Sequence, residues 1–151
     1  DDFTTGRTNW TIQASGSEIL ATILTATHWL ADEFKIPVRF IISIHDEVWW
    51  MTPEKHAEQF AVLYQIAHLY TWARFHSAVS LPDLPLSRAF FSSVAIDTRI
   101  RKSPKEKTIT PSNPQGGHED PGTEYSMREL SEIGAIDKLK TRFSLVQRGL
   151  L

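Results

Sequence analysis

The chain of 151 residues contains no cysteine, which excludes disulfides and every zinc site built on thiolates. Such a composition fits a reducing compartment without requiring one. No stretch approaches the ~20 consecutive apolar residues needed to cross a bilayer, so membrane insertion is not expected. Charge of neither sign dominates: 16 Lys and Arg stand against 18 Asp and Glu, for a net charge of −2. A general basic coat for nucleic acid is therefore missing, and any phosphate binding has to come from a local patch. Also missing are G-x-S-x-G, a Walker loop, G-x-G-x-x-G and H-E-x-x-H. The common hydrolase, P-loop, dinucleotide and zinc-protease readings lose their support with them. No internal repeat is evident. What remains is one ordinary domain's length with 41% hydrophobic residues, enough to bury a core.

Periodicity predicts a long amphipathic helix from about Asn9 to Phe34, with Ile12, Ile19, Ile23, Leu24, Leu30 and Phe34 on its apolar stripe. Asn9, Gln13 and Ser17 lie four apart on one face, which reads either as a solvated face or as a row of donors along which a bulky ligand slides. Ile36-Pro37 ends the helix, because the residue before proline avoids the α region. Thr52-Pro53-Glu54 has the chemistry of a helix start: a capping hydroxyl, a proline at the first position and an acid near the positive dipole end. The helix it opens is expected to reach about Val79, with Phe60, Leu63, Tyr64, Ala67, Tyr70, Ala73 and Phe75 as its buried side. Ala89 to Ile96 has the composition of a further strand, a candidate partner for the hairpin described next. A basic stretch of Arg99, Arg101, Lys102, Lys105 and Lys107 leads into a Pro/Gly/Asn loop over 110–123. Ser126 and Glu129 form a capping box that opens a last helix to about Phe143.

Between the two long helices lies the run Val38-Arg39-Phe40-Ile41-Ile42-Ser43-Ile44-His45-Asp46-Glu47-Val48-Trp49-Trp50. Seven residues rich in β-branched and aromatic types end at three polar ones, and apolar residues resume at once. This predicts a buried strand, a tight turn and a returning strand, with His45, Asp46 and Glu47 at the tip. A carboxylate on a rigid tip suits a divalent metal. Neighbours on a strand point to opposite sides, so Asp46 and Glu47 are not expected to chelate one ion together. Mg²⁺ takes one or two protein carboxylates plus water and phosphate oxygens, so a partner carboxylate is needed from elsewhere. The bland alternative is a pair of turn-tip charges. His28, His56, His68 and His76 read as helix-surface or half-buried histidines, and the basic stretch reads as a solvated edge or a phosphate site.

The order of these pieces narrows the choice. Gly6-Arg7-Thr8-Asn9-Trp10-Thr11-Ile12-Gln13-Ala14-Ser15-Gly16-Ser17-Glu18, followed after one helix by Ile42-Ser43-Ile44-His45-Asp46-Glu47-Val48, resembles the C-terminal part of the palm of family A DNA polymerases. Leu84-Pro85-Leu86-Ser87-Arg88-Ala89-Phe90-Phe91-Ser92-Ser93-Val94-Ala95-Ile96-Asp97, Ile100-Arg101-Lys102 and Thr110-Pro111-Ser112-Asn113-Pro114 look like the mitochondrial branch of that family. The resemblance covers about positions 5 to 114. Asn-x-x-x-Gln or His-Asp-Glu alone is a weak signal; the ordered set is specific.

The resemblance implies an α+β fold: residues 1–109 as the C-terminal part of a polymerase palm, with an antiparallel hairpin packed on long helices, and 110–151 as a loop and a C-terminal helical extension. It implies two-metal nucleotidyl transfer, with Asp46 as a Mg²⁺ ligand, His45 against the primer terminus and Glu47 shaping the field of the site. Asn9 and Gln13 would donate to minor-groove acceptors, which A·T pairs present in either orientation, and Arg7 would reach a backbone phosphate or the same groove. The implied partners are primer–template DNA and deoxynucleoside triphosphates, in the mitochondrion; an accessory subunit stays open. The family's upstream aspartate motif, its fingers helix with Arg, Lys and Tyr, and its exonuclease region have no match here. The chain, which opens at Asp1-Asp2-Phe3 without a methionine, is thus expected to be a C-terminal fragment that does not polymerise alone. Two alternatives remain: a stand-alone metal-dependent phosphoesterase built on His45, Asp46 and Glu47, and a non-catalytic nucleic-acid-binding module using the 99–107 patch.

Overall fold

In the computed structural model, which describes residues 2–80, 91–100, 109, 111, 114 and 122–151, the first helix is longer than its apolar pattern. Helix α1 spans Asp2–Glu33. Its hydroxyls explain how a Thr- and Ser-rich stretch stays helical. Thr8 Oγ1 donates to Thr4 O at 3.0 Å, Thr11 Oγ1 to Arg7 O at 3.0 Å, and Ser15, Ser17, Thr22, Thr25 and Thr27 repeat the pattern. Each hydroxyl is spent on the carbonyl four residues back rather than on an alternative turn. Only the second half of α1 is buried, at Ile23, Ala26, Thr27, Leu30 and Ala31, the i, i+3, i+4, i+7, i+8 spacing of one helix face. Ile12, placed on the apolar stripe by periodicity, is 63% exposed.

The end of α1 is closed by backbone geometry. Lys35 takes φ 54°, its N–H donates to Asp32 O at 3.2 Å, and Ile36 N–H donates to Ala31 O at 2.9 Å. This is a Schellman arrangement with a lysine where glycine is usual, and Ile36, 3% exposed, plugs it into the core.

Strands β1 (Arg39–Ile44) and β2 (Glu47–Met51) form the expected antiparallel hairpin. The pairs run from Arg39–Met51 to Ile44–Glu47, with an irregularity between Phe40 and Ile42, where Ile41 is the extra residue of a bulge. One expectation is corrected: every residue of β1 is exposed, including Phe40, Ile41, Ile42 and Ile44. Among the described residues no third strand pairs with this sheet, so a continuous apolar run suited to burial on both faces lies open.

The Thr52-Pro53-Glu54 start also differs from expectation. A 3₁₀ turn at Glu54–His56 precedes helix α2 (Ala57–Ala78). The Thr52 hydroxyl does not cap it but donates to Pro37 O at 2.9 Å, across the base of the hairpin. Helix α2 is the centre of the molecule. Phe60, Ala61, Val62 and Leu63 are consecutive and all buried, followed by Gln65, Ala67, His68 and Thr71, as in a helix surrounded on every side. Tyr70 and Ala73, expected on its buried side, are exposed.

Strand β3 (Val94–Ile96) pairs with β4 (Thr123–Tyr125) and not with the hairpin. The loop expected over 110–123 therefore ends in a strand, and the sheet joins segments on either side of residue 109. Buried Gln65 fixes this second sheet to α2 by donating to Ser92 O at 2.6 Å. Gly122 lies so close to Asp97 that a Cβ there would overlap the carboxylate. The Ser126–Glu129 capping box is present, but the helix it opens is broken in two. Helix α3 (Met127–Glu132) stops, Gly134 takes φ 73°, and helix α4 (Ala135–Gln147) departs in a new direction. Leu130, Ala135 and Leu139 pack into the core made by α1 and α2.

Two opposite substitutions test the left-handed positions. Gly134→Ala should lose about 1 kcal/mol of unfolding free energy, and Lys35→Gly should gain about 0.5–1 kcal/mol, in denaturant titrations. His68, packed edge-on to Tyr64 with centroids 4.8 Å apart, has its pKa lowered by burial. Because the folded state prefers the neutral ring, its contribution is complete above the unfolded value of 6.5. It is lost as pH falls below that value toward the lower folded pKa. Unfolding curves at successive pH values should show that loss, and His68→Gln should remove it.

Candidate functional site

The turn between β1 and β2 is tighter than the sequence pattern implied. Ile44 and Glu47 are the last ladder pair, so the loop is His45-Asp46 alone and Glu47 opens β2. His45 takes φ 55°, a left-handed conformation that histidine tolerates better than most side chains. In a two-residue loop whose flanking strands are paired on both sides, the Asp46 backbone has little freedom. His45 and Asp46 are exposed, while Glu47 is half-buried. Asp46 is thus a loop residue and Glu47 a strand residue opposite Ile44.

What fixes the turn in space is the other end of the hairpin. Trp50 places its ring 5.0 Å from His28 of α1, 5.6 Å from Phe60 and 6.4 Å from Tyr64 of α2, with Phe40 of β1 at 5.4 Å. Burial in this aromatic cluster pushes the Tyr64 phenol up to about 12. Trp50 and Thr52 were missed as site-supporting residues from sequence. The role of Thr52 follows only from the hairpin register, which pairs Met51 with Arg39 and so sets Thr52 beside Pro37 at the hairpin base.

Asn9, Gln13 and Arg7 all lie on the exposed N-terminal half of α1, a different element from the hairpin that bears Asp46. Asn9 and Gln13 share a face, four residues apart. Arg7 stands about 200° round the helix from Asn9 at 3.6 residues per turn. It lines a shallow apolar depression with Phe3, Gly6 and Trp10. Arg7 thus lies on a different face of α1 from Asn9 and Gln13.

Among the described residues no group of three or more His, Cys, Asp or Glu is placed to hold a metal. The donor chemistry at the tip fits one hard-oxygen ligand to a divalent cation, Asp46, and not a complete site. In the 99–107 stretch, Arg99 is exposed, with its backbone N–H bonded to Asp97 Oδ1 at 3.1 Å. Residues 101–107 lie outside the described residues, as do most of those of the expected 110–123 loop. No helix is long and apolar enough to cross a membrane among the described residues.

No protein-family profile matches the chain. Curated relatives do. DNA polymerase subunit gamma-1 of Gallus gallus is 43% identical over 115 residues, 76% of this chain and 18% of the relative. DNA polymerase gamma, mitochondrial, of Neurospora crassa is 41% identical over 112 residues, 74% of this chain and 8% of the relative. The mitochondrial DNA polymerase subunit gamma-1 of Drosophila melanogaster is 37% identical over 130 residues, 83% of this chain and 11% of the relative. The chain thus spans less than a fifth of the length of these relatives.

Proposed function

We propose, from the premise that this chain is homologous to a segment of DNA polymerase gamma, that it supplies one half of a nucleotidyl-transfer site in a mitochondrial DNA polymerase. The observation that carries this reading is Asp46. It is an exposed carboxylate held by a two-residue turn, in a chain whose relatives are polymerases. Asp46 would hold Mg²⁺ together with a carboxylate from outside the described residues. Mg²⁺ bound there would supply charge stabilisation on the entering and leaving oxygens of an in-line displacement.

The chain's own residues do the rest. Asp46 would present its oxygens from a hairpin whose base is held by Trp50 and Thr52. His45, forced outward by its left-handed backbone, contacts the primer terminus. Glu47 stays at the strand opening and adds negative field beside the site. Asn9 and Gln13 donate amide N–H groups to minor-groove acceptors, which check base-pair shape without choosing a base. Arg7, on the other side of α1, reaches a backbone phosphate instead of sharing that groove. Primer–template DNA and deoxynucleoside triphosphates are the partners, and the segment alone does not polymerise.

A stand-alone phosphoesterase reading would need a complete metal site within this chain, and no group of three or more His, Cys, Asp or Glu placed to hold a metal occurs among the described residues. The test of the polymerase reading is Asp46→Ala in the full-length polymerase that carries this segment. Single-turnover incorporation should fall by orders of magnitude while primer–template affinity stays within a few-fold; near-normal turnover would refute the assignment. Gln13→Ala should weaken primer–template affinity or raise the error rate, with no strong sequence preference in the loss, read by titration and misincorporation assays.

A further inference from the structure

The C-terminal helix α4 has no part in the proposed chemistry, yet it touches the chain on both sides of the hairpin. On the upstream side, Arg142 Nε donates to Phe34 O at 2.7 Å and its Nη2 donates to Lys35 O. These are the two carbonyls that follow the last turn of α1, at the negative end of its dipole, where a guanidinium is favoured. Phe143, the next residue, stacks on Phe34 with centroids 5.0 Å apart and planes at 29°. On the downstream side, Lys138 pairs with Glu58, and Gln59 Nε2 donates to Lys138 O at 3.4 Å. Arg142 Nη1 also lies 3.5 Å from His56 Nδ1. The hairpin leaves the first flank at Arg39 and returns to the second just after Met51.

We infer that α4 is a brace across the base of the hairpin, and that Arg142 is a positioning residue for Asp46. The coupling path is short. Between Lys35 and Arg39 lie only Ile36, Pro37 and Val38. Ile36 is buried, Pro37 has its φ fixed by its ring, and the Pro37 carbonyl is bonded to Thr52. Lys35 adopts a left-handed conformation that a lysine leaves readily unless held, and its carbonyl is one of the two that Arg142 grips. Releasing that grip frees the hinge from which the whole hairpin projects, and a small rotation there is amplified at the tip. The exposed Lys138–Glu58 pair contributes little by itself, so the larger share falls to Arg142. This inference rests on the proposed role of Asp46 in nucleotidyl transfer.

The experiment has two arms. Hydrogen exchange on the 151-residue chain, wild type against Arg142→Ala, should show amides of residues 39–51 exchanging about tenfold faster, with the α2 amides unchanged. In the full-length polymerase the same variant should lower the single-turnover incorporation rate about tenfold to a hundredfold, because misplacement by about 1 Å is costly, with the dissociation constant for primer–template unchanged. Arg142→Lys, which keeps the charge and a single donor direction, should fall between the two and serves if Arg142→Ala does not fold. Unchanged hairpin exchange overturns the brace. Faster exchange with wild-type incorporation, in a polymerase that Asp46→Ala inactivates, overturns the positioning role and leaves the proposed function standing. An Asp46→Ala polymerase that still turns over removes the proposed function and the positioning role with it.

Discussion

Trp50 is the residue through which the hairpin belongs to the rest of the molecule. Its ring meets α1 at His28 and α2 at Phe60 and Tyr64, while its own strand is otherwise only half-buried and the facing strand is exposed. Aromatic pairs at these separations add modestly to their burial, but their geometry is directional, and here it sets the angle at which the hairpin leaves the helices. Without that anchor the hairpin would be held at its base alone, by the Thr52–Pro37 bond and by the grip of Arg142 on the end of α1. The placement of the Asp46 carboxylate is thus tied, by packing, to a residue four positions further along the chain.

Around that anchor the molecule is rigid at its base and open at its edge. Helix α2 is buried on all sides between residues 60 and 68, α1 and α4 close over it, and Arg142 ties the end of α1 to α4. By contrast β1 and the N-terminal half of α1 lie exposed with Phe40, Ile41, Ile42, Ile44, Phe3, Trp10 and Ile12 uncovered. Such runs have the composition of buried elements, and they occur in a chain that spans less than a fifth of its relatives. The candidate site residues sit on these open parts: Asp46 on the turn, Asn9 and Gln13 on the outer half of α1.

The elements with strong local chemistry were legible in the sequence. The hairpin followed from a β-branched run interrupted by polar residues, the Ser126–Glu129 box from its spacing, and the end of α1 from Ile36-Pro37. What escaped was decided by contacts remote in sequence or by one dihedral. Gly134 breaks a periodicity that continues across it. Thr52 has the residue type of a helix cap, and only the hairpin register reveals that its hydroxyl is claimed by Pro37. The pairing of β3 with β4 joins strands separated by a long stretch with no strand signal. Exposure of β1 was invisible because periodicity reports what a strand could bury against, not whether a partner is present. For the site, Asp46 stood out as a candidate metal ligand through its motif, whereas the contacts of Trp50, Thr52 and Arg142 at the base of the hairpin are tertiary.

The central claim is that Asp46 binds the metal of a nucleotidyl-transfer site, and the most direct measurement of it is a change of ligand chemistry. In the full-length polymerase carrying Asp46→Cys, a thiolate replaces the carboxylate and should favour softer cations over Mg²⁺. The account predicts that incorporation lost in Mg²⁺ returns in part with Mn²⁺ or Cd²⁺, and that Asp46→Ala shows no comparable rescue. Equal activity of the cysteine variant in Mg²⁺ and in the softer cations, or equal rescue of the alanine variant, would contradict it.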